Sequence, residues 1–207
     1  MNMEKYREYL FDTCRRIFAV DSPSGYTTKV MKLICEMAEE MGYSFELTKK
    51  GCGIITIPGH REEKTVALSA HVDTLGLMVR SITSDGQLKF TPVGGPLLPT
   101  LDGEYCTIYT RSGKTYTGTI LSLSPAIHVY ADSKSRERDA DNMAVRIDEK
   151  VKNAEDVKAL GIETGDYICI DTKTTITPSG FLKSRFIDDK GSVACLMTIL
   201  KIMKEEK

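Results

Sequence analysis

The sequence predicts a mixed α/β protein in which a layered α/β domain is interrupted by a small β module. Three observations carry this. Helical apolar periodicity opens the chain, short β-prone runs separated by turn residues fill its middle, and helical periodicity returns at its end. The texture changes at Gly76 and changes back after Thr172, so residues 1–75 and 173–207 read as one α/β domain and residues 76–172 as an inserted β module.

The elements follow in order. Residues 4–18 predict a helix, with Tyr6, Tyr9, Leu10, Ile17 and Phe18 along one stripe. "DSPSGYT" breaks it. A second helix spans about Thr27 to Met41, with Val30, Ile34, Met37, Ala38 and Met41 at three- and four-residue spacing and Gly42 as its stop. Three strands are expected next: "YSFELTK", "CGIITIP" and the mainly apolar "TVALSAH". From Gly76, the runs "GLMVRSI", "QLKFTPV", "EYCTIYT", "TYTGTILSL" and "YICIDTK" alternate with the turn chemistry of "SDG", "VGGP", "RSG" and "SPAIH". Such spacing predicts a small barrel or sandwich. "SKSRERDADN" is expected to be an exposed polar loop, and "NAEDVKALGI" a short helix capped by Asn153 and stopped by Gly161. "FLKSRFIDDKGSVACLMTILKIMKEEK" reads as a strand, an acidic turn and a long helix whose apolar face is Val193, Leu196, Met197, Leu200 and Met203.

Composition narrows the function classes. The 207 residues are 41% hydrophobic and 28% charged with a net charge of −1, so no global field favours nucleic acid or an anionic membrane. The opening residues lack the apolar centre of a signal peptide, and no apolar run approaches a membrane span. Six cysteines contain no C-x-x-C pair, and most sit in apolar patterns such as "KLICEMA". They read as reduced, buried thiols of a cytoplasmic protein. No G-x-S-x-G, activated cysteine or Gly-rich phosphate loop is present.

Two polar clusters interrupt apolar surroundings. In "TVALSAHVDTLGLMV", His71 and Asp73 are two residues apart, so on a strand they share a face. Imidazole is a common metal ligand, and a neighbouring carboxylate fixes its tautomer and raises its basicity. In "RFIDDKG", Asp188 and Asp189 end an apolar run and precede a helix, whose N-terminus tolerates anions. Either cluster alone has a plainer use, a chance H-x-D or a helix N-cap. Two of them at expected strand ends of one α/β domain point to a site for a cation held by oxygens and imidazole, in which a carboxylate can bridge two metals.

Those residues resemble a known family. "SAHVDTLGLMV" and "SRFIDDKGSVACL" look like the leading motifs of dinuclear aminopeptidases. "SPSG", the "VGG" turn, "SPAIH" and "AEDVKALGIETGDYI" are similar to the glutamyl/tetrahedral aminopeptidases, metallopeptidase family 42. Family-20 peptidases and deacylases share "HVDT" and "DDKG", but their motifs lie close together, whereas here the whole β module separates Asp73 from Asp188. The resemblance implies a zinc-aminopeptidase-like α/β domain, incomplete here, with an inserted PDZ-like dimerisation barrel. It implies two divalent metal ions, zinc or cobalt, with His71 a terminal ligand and Asp188 the bridging one. Asp73 is the implied catalytic-site carboxylate that orients His71, and Asp189 is implied to follow Asp188 across a strained peptide bond, as in relatives. Thr74 departs from the acidic residue more frequent there, which bears on substrate preference.

The implied reaction is hydrolysis of an N-terminal residue from a peptide, with metals polarising the carbonyl and a glutamate acting as base. That glutamate and the further ligands are not recognisable here. Glu205 and Glu206 are the only acids after Asp189 and read as a solvated helix end; His60 reads as a turn residue, and His128 receives no ligand role. The expectation is therefore the first portion of a homo-oligomeric metal aminopeptidase, inactive by itself and with an uncovered sheet edge. The alternatives are a non-catalytic oligomerisation module and a family-20-like deacylase.

Overall fold

A computed structural model describes residues 3–59, 61 and 63–206, so the turn expected at His60 lies outside the described residues. The chain divides into two compact units, residues 1–74 with 172–207, and residues 75–171.

In the first unit, α1 (Met3–Phe18) and α2 (Thr28–Glu40) form where the apolar spacing places them. α2 ends as Gly42 turns to positive φ. The Gly42 N–H donates to the Glu39 carbonyl at 2.8 Å and the Tyr43 N–H to the Ala38 carbonyl at 3.0 Å. This Schellman arrangement satisfies carbonyls that a helix end leaves open. The long helix α4 (Ile187–Glu205) packs on α1, and Ile17, Phe18, Val30, Met37, Ala38 and Ala194 form the fully buried centre of the core.

The end of α4 is not simply solvated. Glu205 accepts from Lys5 Nζ at 2.6 Å and from Lys201 at 2.8 Å, and the Tyr6 hydroxyl donates to Glu206 at 3.0 Å. Hydrogen bonds from Lys201 and Lys5 hold the Glu205 carboxyl down at about 2. Burial, then Glu206 and Glu205, pushes the Tyr6 hydroxyl up to about 12. The Glu205 contribution is complete above the ordinary carboxylate pKa of 4.5 and is lost as pH falls towards about 2. Glu205→Gln should therefore flatten the acid limb of a plot of unfolding midpoint against pH between those values. An unchanged limb would show that the clasp carries no pH dependence.

In the second unit, β3 (Gly76–Ile82), β4 (Leu88–Val93), β5 (Tyr105–Tyr109), β6 (Thr115–Ser122), β7 (Met143–Ile147) and β8 (Tyr167–Ile170) close into a six-stranded antiparallel barrel in the order β3-β4-β7-β6-β5-β8. Alternate residues such as Leu88 and Phe90 on β4, or Cys106 and Ile108 on β5, fill the interior. Gly118 is needed on β6, because a Cβ there would meet the Arg146 carbonyl at 2.8 Å. α3 (Ala154–Leu160) is capped as its local sequence predicts. The Asn153 side chain accepts from the Asp156 N–H, and Gly161 ends the helix in the left-handed region.

The sequence expectation fails at several further places. The strand β7 was not expected. Four of its five residues are buried, so its composition lacks the alternation that marks a half-exposed strand. The polar segment after β6 is only partly an exposed loop. Asp132 accepts from Ser124 at 2.8 Å and pairs with Arg136, while Arg138 Nε donates to Asp102 at 3.0 Å. "YSFELTK" and "CGIITIP" pair only as the two-residue β1 (Glu46–Leu47) and β2 (Gly53–Ile54). "TVALSAH" is not a strand: among the described residues none pairs with it, and Val66 and Leu68 are 85% and 67% exposed. An apolar run becomes a strand only when a neighbour takes its N–H and carbonyl groups.

Candidate functional site

The site is built where a turn grips the end of that extended run. "SPSG" turns so that Pro23 bridges Thr74 in parallel. The Thr74 N–H donates to the Ser22 carbonyl at 2.8 Å, and the Ser24 N–H donates to the Thr74 carbonyl at 3.1 Å. The Ser22 hydroxyl donates to the Val72 carbonyl at 2.7 Å. The main chain on either side of Asp73 is thus held without a full strand ladder. The side chains of His71 and Asp73 nevertheless meet, with Nδ1 of His71 at 3.1 Å from both the carbonyl and Oδ1 of Asp73.

The second acidic cluster does not end a long strand. β9 (Thr175–Ile176) and β10 (Leu182–Lys183) pair as a two-residue hairpin, and Asp188 and Asp189 occupy the first turn of α4. Both depart from helical φ/ψ, their peptide bond is cis, and Phe186 just before them has φ of 61°. Few L-residues adopt that region. The turn aims Asp188 Oδ1 at His71 Nε2, 3.3 Å away, and lets Asp189 Oδ2 accept from the His71 N–H at 3.3 Å. The two clusters, far apart in sequence, face one another across one imidazole.

Directly after the pair, Lys190 is fully buried. Its ammonium donates to the carbonyls of Ile17 at 3.2 Å and Val20 at 2.6 Å, at the C-terminal end of α1. A cation there complements the negative end of the helix dipole and ties the acidic turn to α1. Sequence reasoning passed over both Lys190 and Ser24. A lysine beside two aspartates and a serine in a turn carry no signal of their distant partners.

Electrostatics tests whether these residues suit a cation. Desolvation pulls the His71 imidazole down. The Asp73 carbonyl and the carboxylates of Asp73, Asp188 and Asp189 together outweigh it, and the pKa is raised above its ordinary value. When Nδ1–H is given to Asp73, the Nε2 lone pair faces an acidic oxygen, an arrangement that calls for positive charge between them. Two ligands about 2.0–2.1 Å from a tetrahedral ion lie about 3.3 Å apart, which matches the Nε2–Oδ1 separation. The pair therefore fits a divalent cation, but as a partial donor set. Among the described residues, no group of three or more His, Cys, Asp and Glu is placed to hold a metal ion. His128 is exposed in a turn of the second unit.

A family model described as M42 glutamyl aminopeptidase matches residues 51–207. The Bacillus subtilis (strain 168) protein YhfE is 42% identical over 192 residues, which cover 93% of this chain and 56% of YhfE. Among solved structures, aminopeptidase APDkam598 from the archaeon Desulfurococcus kamchatkensis superposes with a TM-score of 0.84 at 22% identity, over 95% of this chain and 52% of that one. The Pyrococcus horikoshii TET1 peptidase, which can assemble into a tetrahedron or a large octahedral shell, gives 0.79 at 19% identity, over 95% of this chain and 56% of that one. At those identities the structures speak to fold alone. The chain spans about half the length of the curated relatives it matches. With the family model covering most of its residues and a relative matched along nearly its whole length, this chain belongs to the M42 glutamyl aminopeptidase family.

Proposed function

We propose that this chain supplies part of the active site of a metal-dependent aminopeptidase that removes N-terminal residues from peptides. The observation that carries the reading is the 3.3 Å approach of His71 Nε2 to Asp188 Oδ1, with Nδ1 already engaged by Asp73. His71 and Asp188 would hold the cation, zinc or cobalt, Asp188 would be the ligand shared with a second ion, and Asp73 would orient the imidazole. When bound, such an ion supplies Lewis-acid polarisation of the scissile carbonyl and lowers the pKa of an attacking water. Because the donor set is partial, the 207-residue chain is expected to be inactive by itself.

The remaining parts of the reading rest on the family. Residues 1–75 and 173–207 belong to the catalytic layered α/β domain, and the barrel, residues 76–172, is the PDZ-like domain through which copies associate. The large assemblies of the TET1 peptidase support a homo-oligomer. Six free thiols suit a reducing, cytoplasmic setting, and no described helix is long and apolar enough to cross a membrane.

The test is release of N-terminal residues from a panel of aminoacyl anilides with added Zn²⁺ or Co²⁺, beside His71→Ala, with calorimetric Zn²⁺ titration of both chains. Expected are weak Zn²⁺ binding abolished by His71→Ala and no hydrolysis above that control. Equal Zn²⁺ binding by the two chains would remove His71 from the site. Hydrolysis lost in His71→Ala would mean that the missing ligands and base come from a partner chain.

A further inference from the structure

We propose that residues 65–70 are a docking edge for a second copy of this chain, whose own run adds antiparallel about a twofold axis at Ala67. The inference goes beyond the proposed function and depends on neither the metal nor the barrel. Thr65, Val66, Ala67, Leu68 and Ser69 are all exposed, and among the described residues none of the run makes a main-chain hydrogen bond. Its N–H and carbonyl groups are therefore open to a strand laid alongside. One end of the run is already fixed. The Ser22 hydroxyl donates to the Val72 carbonyl at 2.7 Å, and the Thr74 N–H donates to the Ser22 carbonyl at 2.8 Å. A held edge has less freedom to lose on pairing than a loose one.

The pattern of the run selects both the occupant and the register. Val66, Leu68, Ala70 and Val72 share one face of an extended chain. Ala70 and Val72 pack on the core, while Val66 and Leu68, 85% and 67% exposed, continue that stripe beyond it. Pairing Ala67 with Ala67 of the second copy sets Val66 opposite Leu68 twice on that face, and Thr65 opposite Ser69 twice on the other. A shift by one residue would set Val66 opposite Ala67 or Ser69 and mix the two faces. The run is thus its own complement, as a twofold contact between identical chains requires. Charge does not oppose the pairing. The six residues carry none, no lysine or proline interrupts them, and a net charge of −1 leaves little repulsion between copies.

The experiment is light scattering behind a size-exclusion column, over a concentration series and under reducing conditions, with the wild-type chain, Leu68→Lys and Leu97→Lys. Wild type should reach twice the 23.0 kDa of one chain, and Leu68→Lys should stay at 23.0 kDa. Because Leu68 is exposed, its variant should fold as wild type does, as checked by far-UV circular dichroism. Leu97, 69% exposed in the second unit, is the control, and Leu97→Lys should leave the dimer intact. Oxidative cross-linking reads the register. Ala67→Cys should give a covalent dimer above the wild-type background, because directly opposed residues lie about 4.5–5.5 Å apart, within reach of a disulfide. Ser69→Cys should not, its two copies being about 13 Å apart along the strands. A monomeric wild type would overturn the proposal and leave the edge to another polypeptide. A dimer that survives Leu68→Lys would overturn it by placing the association elsewhere, on the barrel if Leu97→Lys removes it. Masses beyond a dimer, or cross-linking by Ser69→Cys and not by Ala67→Cys, would overturn the twofold register.

Discussion

Phe18→Ala should destabilise the first unit by about 3–5 kcal/mol, the largest stability effect expected of any single change here. Phe18 is 1% exposed and closes α1 against the core that includes Ile17, Val30, Met37 and Ala194. Truncation removes the transfer free energy of the ring and leaves a cavity that helices on several sides cannot all move to fill. Urea unfolding followed by far-UV circular dichroism reads the change. Phe181→Ala is the control, because Phe181 is 75% exposed and should shift stability by no more than about 0.5 kcal/mol. Equal midpoints for the two variants would show that α1 does not depend on this core.

Lys190→Met should cost about 2–3 kcal/mol, although methionine has nearly the same length and is more hydrophobic. The reason lies in what the ammonium leaves behind. The carbonyls of Ile17 and Val20 accept from it inside the fold, and methionine cannot donate to either. Hydrogen bonds to a charged donor are worth more than neutral ones; the Val20 carbonyl loses its ammonium partner, while the Ile17 carbonyl keeps the Val20 N–H at 3.3 Å. The opposing effect is that a buried charge is itself expensive, so an apolar replacement recovers some of the loss. The 2.6 Å bond to the Val20 carbonyl, with the second acceptor on Ile17, decides the sign in favour of lysine. The same unfolding measurement checks it, and a Lys190→Met chain as stable as wild type would mean that burial cost and hydrogen bonding cancel. A parallel loss of Zn²⁺ binding would tie the acidic turn to its anchor on α1.

Local chemistry was legible where an element is decided by its own residues. α3 needed only an asparagine able to accept from the third amide of the helix and a glycine able to take positive φ. α1 and α2 needed only a repeating apolar stripe, because a helix satisfies its own backbone. The barrel was legible from runs that alternate and turns that separate them, and β7 was missed because burial on both faces erases the alternation. "TVALSAH" shows the opposite limit: an apolar run was read as a strand, but a strand is a property of two segments.

The candidate site divides along the same line. His71, Asp73, Asp188 and Asp189 could be singled out because imidazole and paired carboxylates are conspicuous in apolar surroundings. Ser24, Lys190 and Glu205 could not, because a turn serine, a lysine beside two aspartates and a terminal glutamate are ordinary until their distant partners are known. By itself the sequence determined which residue types were available, where helices begin and end, and the alternation that makes a barrel, all of which depend on neighbours within a few residues. Tertiary structure alone decided that one imidazole lies between two acidic clusters, that a serine hydroxyl donates to the first and that a buried lysine follows the second. Those contacts join segments whose separation along the chain carries no local signal, and they exist only once the helices have packed.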